Sequence, residues 1–207
     1  MTRSLGCLLA TACVAAAHPV AYKGAWQLML GGNENFQHLE LYRSYTPKEA
    51  LGVHLMHFKD AGKHEKFALV QHNWLLKRWN LPEAQANFYA GLCAGVGSVE
   101  DESWDPAGMG FLRLDYETRQ IFSAFDTRFF RTDDIERSIT SASIGYTPWL
   151  TDFDKMSTWF ILQAEHVSGM EDEFDIIPKV RLFKDNWFVE IGCTLGGEPV
   201  GHIMWHF

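Results

Sequence analysis

From residue 24 onward, apolar and polar residues alternate with a period of two, and no stretch sustains the 3.6-residue period of an amphipathic helix. The alternation is broken about every 16 positions by Gly, Pro, Asn or Asp, residues suited to chain reversal. Twelve strand-like runs emerge: 24–31, 36–45, 50–58, 66–79, 84–97, 108–117, 120–131, 136–147, 156–167, 175–183, 187–195 and 200–207. Between them lie reversals such as Gly31-Gly32-Asn33, Thr46-Pro47-Lys48, Asn80-Leu81-Pro82, Lys184-Asp185-Asn186 and Gly196-Gly197-Glu198.

Single runs carry two chemically distinct faces. In 187–195, Trp187, Val189, Ile191, Cys193 and Leu195 share one side, and Phe188, Glu190, Gly192 and Thr194 the other. Leu112, Leu114 and Tyr116 oppose Arg113, Asp115 and Glu117. Asp126 and Arg128 oppose Phe125, Thr127 and Phe129, and Lys179 and Arg181 oppose Val180 and Leu182. Charges of both signs thus recur at mid-strand on one side. In a soluble antiparallel sheet that side faces bulk water over a separate core. In a transmembrane barrel the relation inverts: apolar residues face lipid and polar ones an enclosed lumen. Run length favours the second, because spanning strands need about 9–11 residues whereas ordinary strands average about 5–6. Aromatic residues also gather near run ends (Tyr42, Tyr45, Trp74, Trp79, Tyr116, Phe129, Phe130, Tyr146, Trp149, Trp159, Trp187, Trp205 and Phe207), as interfacial girdles require. The predicted fold is all-β: a closed antiparallel transmembrane β-barrel of twelve strands, or ten, forming one domain over residues 18–207.

Composition narrows the classes. At 47% hydrophobic and 14% aromatic, the chain is too apolar for a disordered protein. Its net charge of −8 argues against nucleic acid as a partner. Residues 1–17 read as a signal peptide. Arg3 supplies the positive start, 5–14 the apolar stretch, and Ala15-Ala16-Ala17 a small-residue cleavage site before His18-Pro19. A lipoprotein reading would instead use Cys13, preceded by Ala10-Thr11-Ala12. Of the four cysteines, Cys93 and Cys193 lie in the body, on opposite faces by register, and are expected as free thiols.

The last run is the most specific feature. Ile203, Trp205 and Phe207 share one face, and His202, Met204 and His206 the other, with Phe207 as the final residue. This resembles the closing strand of bacterial outer-membrane β-barrel proteins. The resemblance implies location in the cell outer membrane and contact with outer-membrane lipids and lipopolysaccharide. It also implies that Ile203, Trp205 and Phe207 act as the membrane-insertion signal read by the barrel-assembly machinery. With twelve strands starting from the inner side, the outer loops are 59–65, 99–107, 132–135 and 168–174. These include Glu100-Asp101-Glu102, Asp133-Asp134 and Glu171-Asp172-Glu173, while the inner turns are short except for 147–155.

The lumen face would then carry Glu40, Asn73, Arg113, Asp115, Glu117, Asp126, Arg128, Lys179, Arg181 and Glu190. Such groups line a narrow small-solute pore or fill a structural barrel with ion pairs. The porin-like resemblance favours the pore. Two alternatives stand beside it. His166 and Ser168 resemble the His-x-Ser of outer-membrane phospholipase A and lipid A deacylases, where a Ser activated by His attacks an acyl ester; Glu171 and Glu173 lie nearby, and no third member is assigned. Gly169 follows here, where those families continue with Asn. Gly24-Ala25-Trp26 resembles the Gly-x-Trp opening of lipocalins, soluble eight-stranded ligand-binding barrels. No cofactor and no metal is expected. His54 and His57 fall on opposite faces, and His202 and His206, four residues apart on one face, lie about 13 Å apart along the strand.

Overall fold

The computed structural model describes residues 18–60, 62–100, 102–152, 155–169 and 174–207; the predicted signal segment, residues 1–17, lies outside them. The twelve strands are β1 (Trp26–Gly32), β2 (Phe36–Thr46), β3 (Glu49–Asp60), β4 (Lys63–Asn80), β5 (Ala84–Val99), β6 (Asp105–Thr118), β7 (Ile121–Arg131), β8 (Glu136–Tyr146), β9 (Ser157–Val167), β10 (Phe174–Lys184), β11 (Trp187–Cys193) and β12 (Pro199–His206). Each pairs antiparallel with its neighbours in sequence, and β12 returns to β1, so the sheet closes without an edge. Leu28 lies opposite Trp205 and Leu30 opposite Ile203 at that seam.

Local chemistry explains the reversals. The β10–β11 connection is Asp185-Asn186, and Asp185 takes a positive φ of 52°, a conformation Asp tolerates better than most residues and one that matches the twist of a tight hairpin. The long strands β4 and β5 run past the alternation seen in sequence, because backbone pairing continues from Asn80↔Gln85 at one end to Glu65↔Val99 at the other. Bulges at Ser44/Thr46 and Leu75/Lys77 absorb one residue each. The outer loop expected over 99–107 is shorter than that, since β6 begins at Asp105.

The outside of the barrel is apolar. Leu51, Val53 and Leu55 on β3, Leu112 and Leu114 on β6, and Phe160 and Leu162 on β9 are exposed, as are Leu92, Ile144 and Ile191, each at 63%. Monomeric soluble proteins rarely carry a continuous apolar belt of this kind, and it is what a lipid-facing wall requires. Trp26, Tyr45, Trp79, Tyr116, Tyr146, Trp149 and Trp187 ring one end of this belt. Trp187 stacks on Trp205 at 5.2 Å and Trp205 on Phe207 at 4.4 Å. Three of the aromatics expected in the girdle point inward instead: Tyr42 (0% exposed), Phe130 (1%) and Trp159 (3%). They fall on the same parity as Glu40, Arg128 and Ile161, so pairing register overrides their position near a strand end. The eight-stranded lipocalin alternative is overturned by the strand count and by the apolar outer wall.

Candidate functional site

The interior is built in three layers. At one end, Phe36, Phe58, Phe67 and Phe130 converge from β2, β3, β4 and β7, with ring centroids 4.7–6.0 Å apart. Above Phe58 sits the guanidinium of Arg137 on β8. It donates to Glu65 on β4 at 2.7 Å, to the Gly169 carbonyl at 2.6 Å, and lies 3.5 Å from Asp60. Since β4 and β8 are not neighbours, this ion pair bridges the mouth.

The middle layer is a belt of paired charges. Glu40 is the hub of one group. Its Oε1 lies 3.3 Å from Arg128 Nη1, 3.3 Å from His38 Nδ1 and 3.5 Å from His54 Nε2, while Oε2 accepts from Gln71 at 3.3 Å. Arg128 also donates to Asp126 at 2.9 Å. Across the barrel, Arg181 binds Glu190 at 2.7 and 2.8 Å and packs its guanidinium on Phe122 at 4.1 Å. Lys179 donates to Gln163 at 2.7 Å and lies 3.7 Å from Glu190. Gln163 in turn donates to Glu165. A cavity of about 170 Å³ runs between these groups. Its lining includes four carboxylates (Glu40, Asp126, Glu165 and Glu190) and four bases (Arg113, Arg128, Lys179 and Arg181). Phe111 narrows it from β6. Gly91 on β5 gives that ring room, because a Cβ there would collide with it.

At the other end, the segment before β1 folds into the lumen. The His18 carbonyl accepts from Gln27 and Tyr42, both at 3.0 Å, and the Pro19 carbonyl from Asn73 at 2.9 Å. His18 Nδ1 lies 3.3 Å from Asp115, which also accepts from Asn87 at 2.7 Å and faces Arg113 at 3.6 Å. Val20 is buried at 2% exposure, and Ala21 donates to Ser44. Three otherwise orphaned backbone groups thus find partners on the barrel wall, which fixes the segment as a plug.

The structure places Glu40, Asn73, Arg113, Asp115, Asp126, Arg128, Lys179, Arg181 and Glu190 on the inner wall, all but Asn73 and Asp115 at the cavity. Asn73 and Asp115 instead hold the plug, and Glu117 shares their end, within electrostatic reach of Arg181 and Arg113. Sequence reasoning missed His18, His38, Glu65, Gln71, Glu165 and Arg137. The available signal was parity: His38 shares a face with Glu40, and His54 is the cross-strand partner of Glu40. The first relation follows from spacing within β2, and the second becomes visible only when β2 and β3 are put in register. Ser168 follows β9, and its hydroxyl accepts from the Ser138 backbone N–H at 2.7 Å and lies 3.1 Å from Ser138 Oγ. The nearby acids Glu171 and Glu173 lie outside the described residues. Cys93 is buried inside and Cys193 exposed, so the two thiols are on opposite sides of the wall. Ile203 and Phe207 are exposed on the outer face.

No family model matches the chain, and no curated protein is significantly similar to it. Solved structures share its architecture. KdgM porin aligns with a TM-score of 0.51 and 14% identity, covering 88% of this chain and 98% of that one. KdgM porin in complex with disordered oligogalacturonate aligns with a TM-score of 0.51 and 13% identity over the same shares of the two chains. At such identity the likeness is one of fold: a closed twelve-stranded barrel.

Proposed function

We propose that this protein is an outer-membrane barrel that passes small solutes through a narrow, polar lumen. The observation that carries the reading is the inverted wall: an apolar belt outside, and inside it a cavity faced by four acids and four bases. Burying that many ionised groups is costly without solvent or partners, and a wet lumen supplies both. The solved porins with the same fold support a channel. One of them binds oligogalacturonate, but the balanced charge here does not favour an extended polyanion. Small ions and small neutral solutes fit the 170 Å³ space better. The reading extends to export by cleavage before His18. It also takes lipopolysaccharide as the neighbour of the outer rim and Ile203, Trp205 and Phe207 as the insertion signal for the barrel-assembly machinery.

Planar-bilayer recording tests the channel. The purified barrel should give small unitary steps, and Arg137→Gln, which releases the bridge to Glu65, should enlarge them. A second reading, a sealed structural barrel, is favoured by the packing of both ends: the phenylalanine cluster with Arg137 at one, and the His18–Val20 plug at the other. A flat record from wild type and from an Arg137→Gln/Asn73→Ala variant, which loosens both ends, would favour that reading over the channel.

A further inference from the structure

We propose that His38, Glu40 and His54 form a binding site for a divalent transition-metal ion of the zinc, nickel or copper type on the lumen wall. One donor atom from each of the three lies within 4.8 Å of the other two. Two of the three separations have the size a metal imposes. Bonds of about 2.0–2.2 Å from a tetrahedral ion to His nitrogen and carboxylate oxygen set ligand–ligand edges of about 3.3–3.5 Å. The observed edges are 3.3 Å from His38 Nδ1 to Glu40 Oε1 and 3.5 Å from His54 Nε2 to the same oxygen. Only the His–His edge must tighten. Two imidazoles and one carboxylate form a donor set suited to these ions rather than to Mg²⁺ or Ca²⁺.

A second observation points the same way. His54 is 0% exposed, yet its Nδ1 makes no hydrogen bond and its Nε2 only the 3.5 Å contact to Glu40, while His38 Nδ1 has only its 3.3 Å contact to the same carboxylate. Leaving buried imidazole nitrogens with only long contacts to a carboxylate is costly, and an ion between His38, Glu40 and His54 gives His38 Nδ1 and His54 Nε2 a ligand bond instead. The surroundings suit a ligand pocket. His38 and Glu40 border the cavity, which leaves room for a fourth ligand. His202 packs on His38 with ring centroids 5.7 Å apart, and its Nε2 also lacks a partner. Gly31 permits both rings: a Cβ there would stand 2.7 Å from His202 Cδ2 and 2.8 Å from His38 Nε2. In the described conformation Arg128 occupies the cation role at Glu40, at 3.3 Å. The metal replaces it there, while Arg128 keeps its 2.9 Å bond to Asp126.

Binding is independent of whether the barrel conducts. The test adds Co²⁺ alone to the detergent-folded protein and records its visible d–d absorption, which is intense only in tetrahedral sites. Wild type should develop the band, saturate at one equivalent and lose it on addition of Zn²⁺. His38→Gln, Glu40→Gln and His54→Gln should each weaken Co²⁺ binding by more than the 10–100-fold that loss of an outer-shell partner costs. A His57→Gln/His64→Gln double variant removes the other close nitrogen pair, 2.8 Å apart, and should bind like wild type. Folding of each variant is read from heat-modifiable gel migration, and Glu40→Gln preserves side-chain volume should a histidine variant not fold. Absence of the band in folded wild type overturns the proposal. So does a band that persists in Glu40→Gln, or one that disappears only in the His57/His64 variant.

Discussion

Glu65 and Arg137 stand 72 positions apart in sequence and share two hydrogen bonds in the barrel mouth, with the Arg137 side chain 7% exposed. Breaking a buried pair from one side leaves an uncompensated charge, so Arg137→Ala should destabilise the folded barrel by about 3–5 kcal/mol. The Arg137→Ala/Glu65→Ala double variant should recover part of that loss. Urea titration in micelles closes the cycle, and strict additivity of the two losses would show that the pair is not coupled. Nothing in the sequence marks these two residues as partners. Glu65 reads as a loop acid and Arg137 as one base among many, because their meeting depends on how the closed sheet brings β4 across from β8. The same holds for Tyr42 and Trp159, whose aromatic character suggests an interface and whose register turns them inward.

At the scale of elements, the strands were legible because lipid and lumen demand opposite chemistry on alternate residues, so the chain must alternate wherever it spans. The run at 187–195 shows this most openly, with Ile191 outward and Glu190 against Arg181 inward. A lysine at an outward mid-wall position exposes a charge to hydrocarbon. Ile191→Lys and Phe125→Lys, each on the outer face at the middle of its strand, should cost about 2–4 kcal/mol apiece, measured by equilibrium refolding into lipid vesicles. The plug was not legible. His18 to Lys23 shows no alternation, and these hydrogen bonds are made by backbone groups, the carbonyls of His18 and Pro19 and the N–H of Ala21, rather than by side chains that a sequence pattern could mark. Asn73→Ala removes the donor to Pro19 and leaves Gln27 and Tyr42 in place. It should raise the open probability or unitary conductance and increase protease cleavage within residues 18–23; unchanged values for both would mean that the segment does not obstruct the lumen.

For the whole molecule, closure is the property that organises the rest. A closed twelve-stranded sheet has no unpaired edge, so its outside can be apolar and its inside ionic without exposing backbone groups to lipid. The equal numbers of acids and bases around the cavity set the expected selectivity. Under a salt gradient the reversal potential should stay near zero, and Glu40→Gln should shift it toward anion preference. A strongly cation- or anion-selective wild type would conflict with that balance.

The facing of the wall is tested most directly by lipid quenching. In a Cys93→Ala/Cys193→Ala background, single cysteines at Leu114, Ile191 and Ile203, and in turn at Arg113, Glu190 and Ser143, are labelled with a fluorophore and the barrel is refolded into vesicles with brominated acyl chains. Strong quenching is expected at the first three positions and little at the second three. Quenching at Arg113 and Glu190 with none at Leu114 and Ile191 would contradict it.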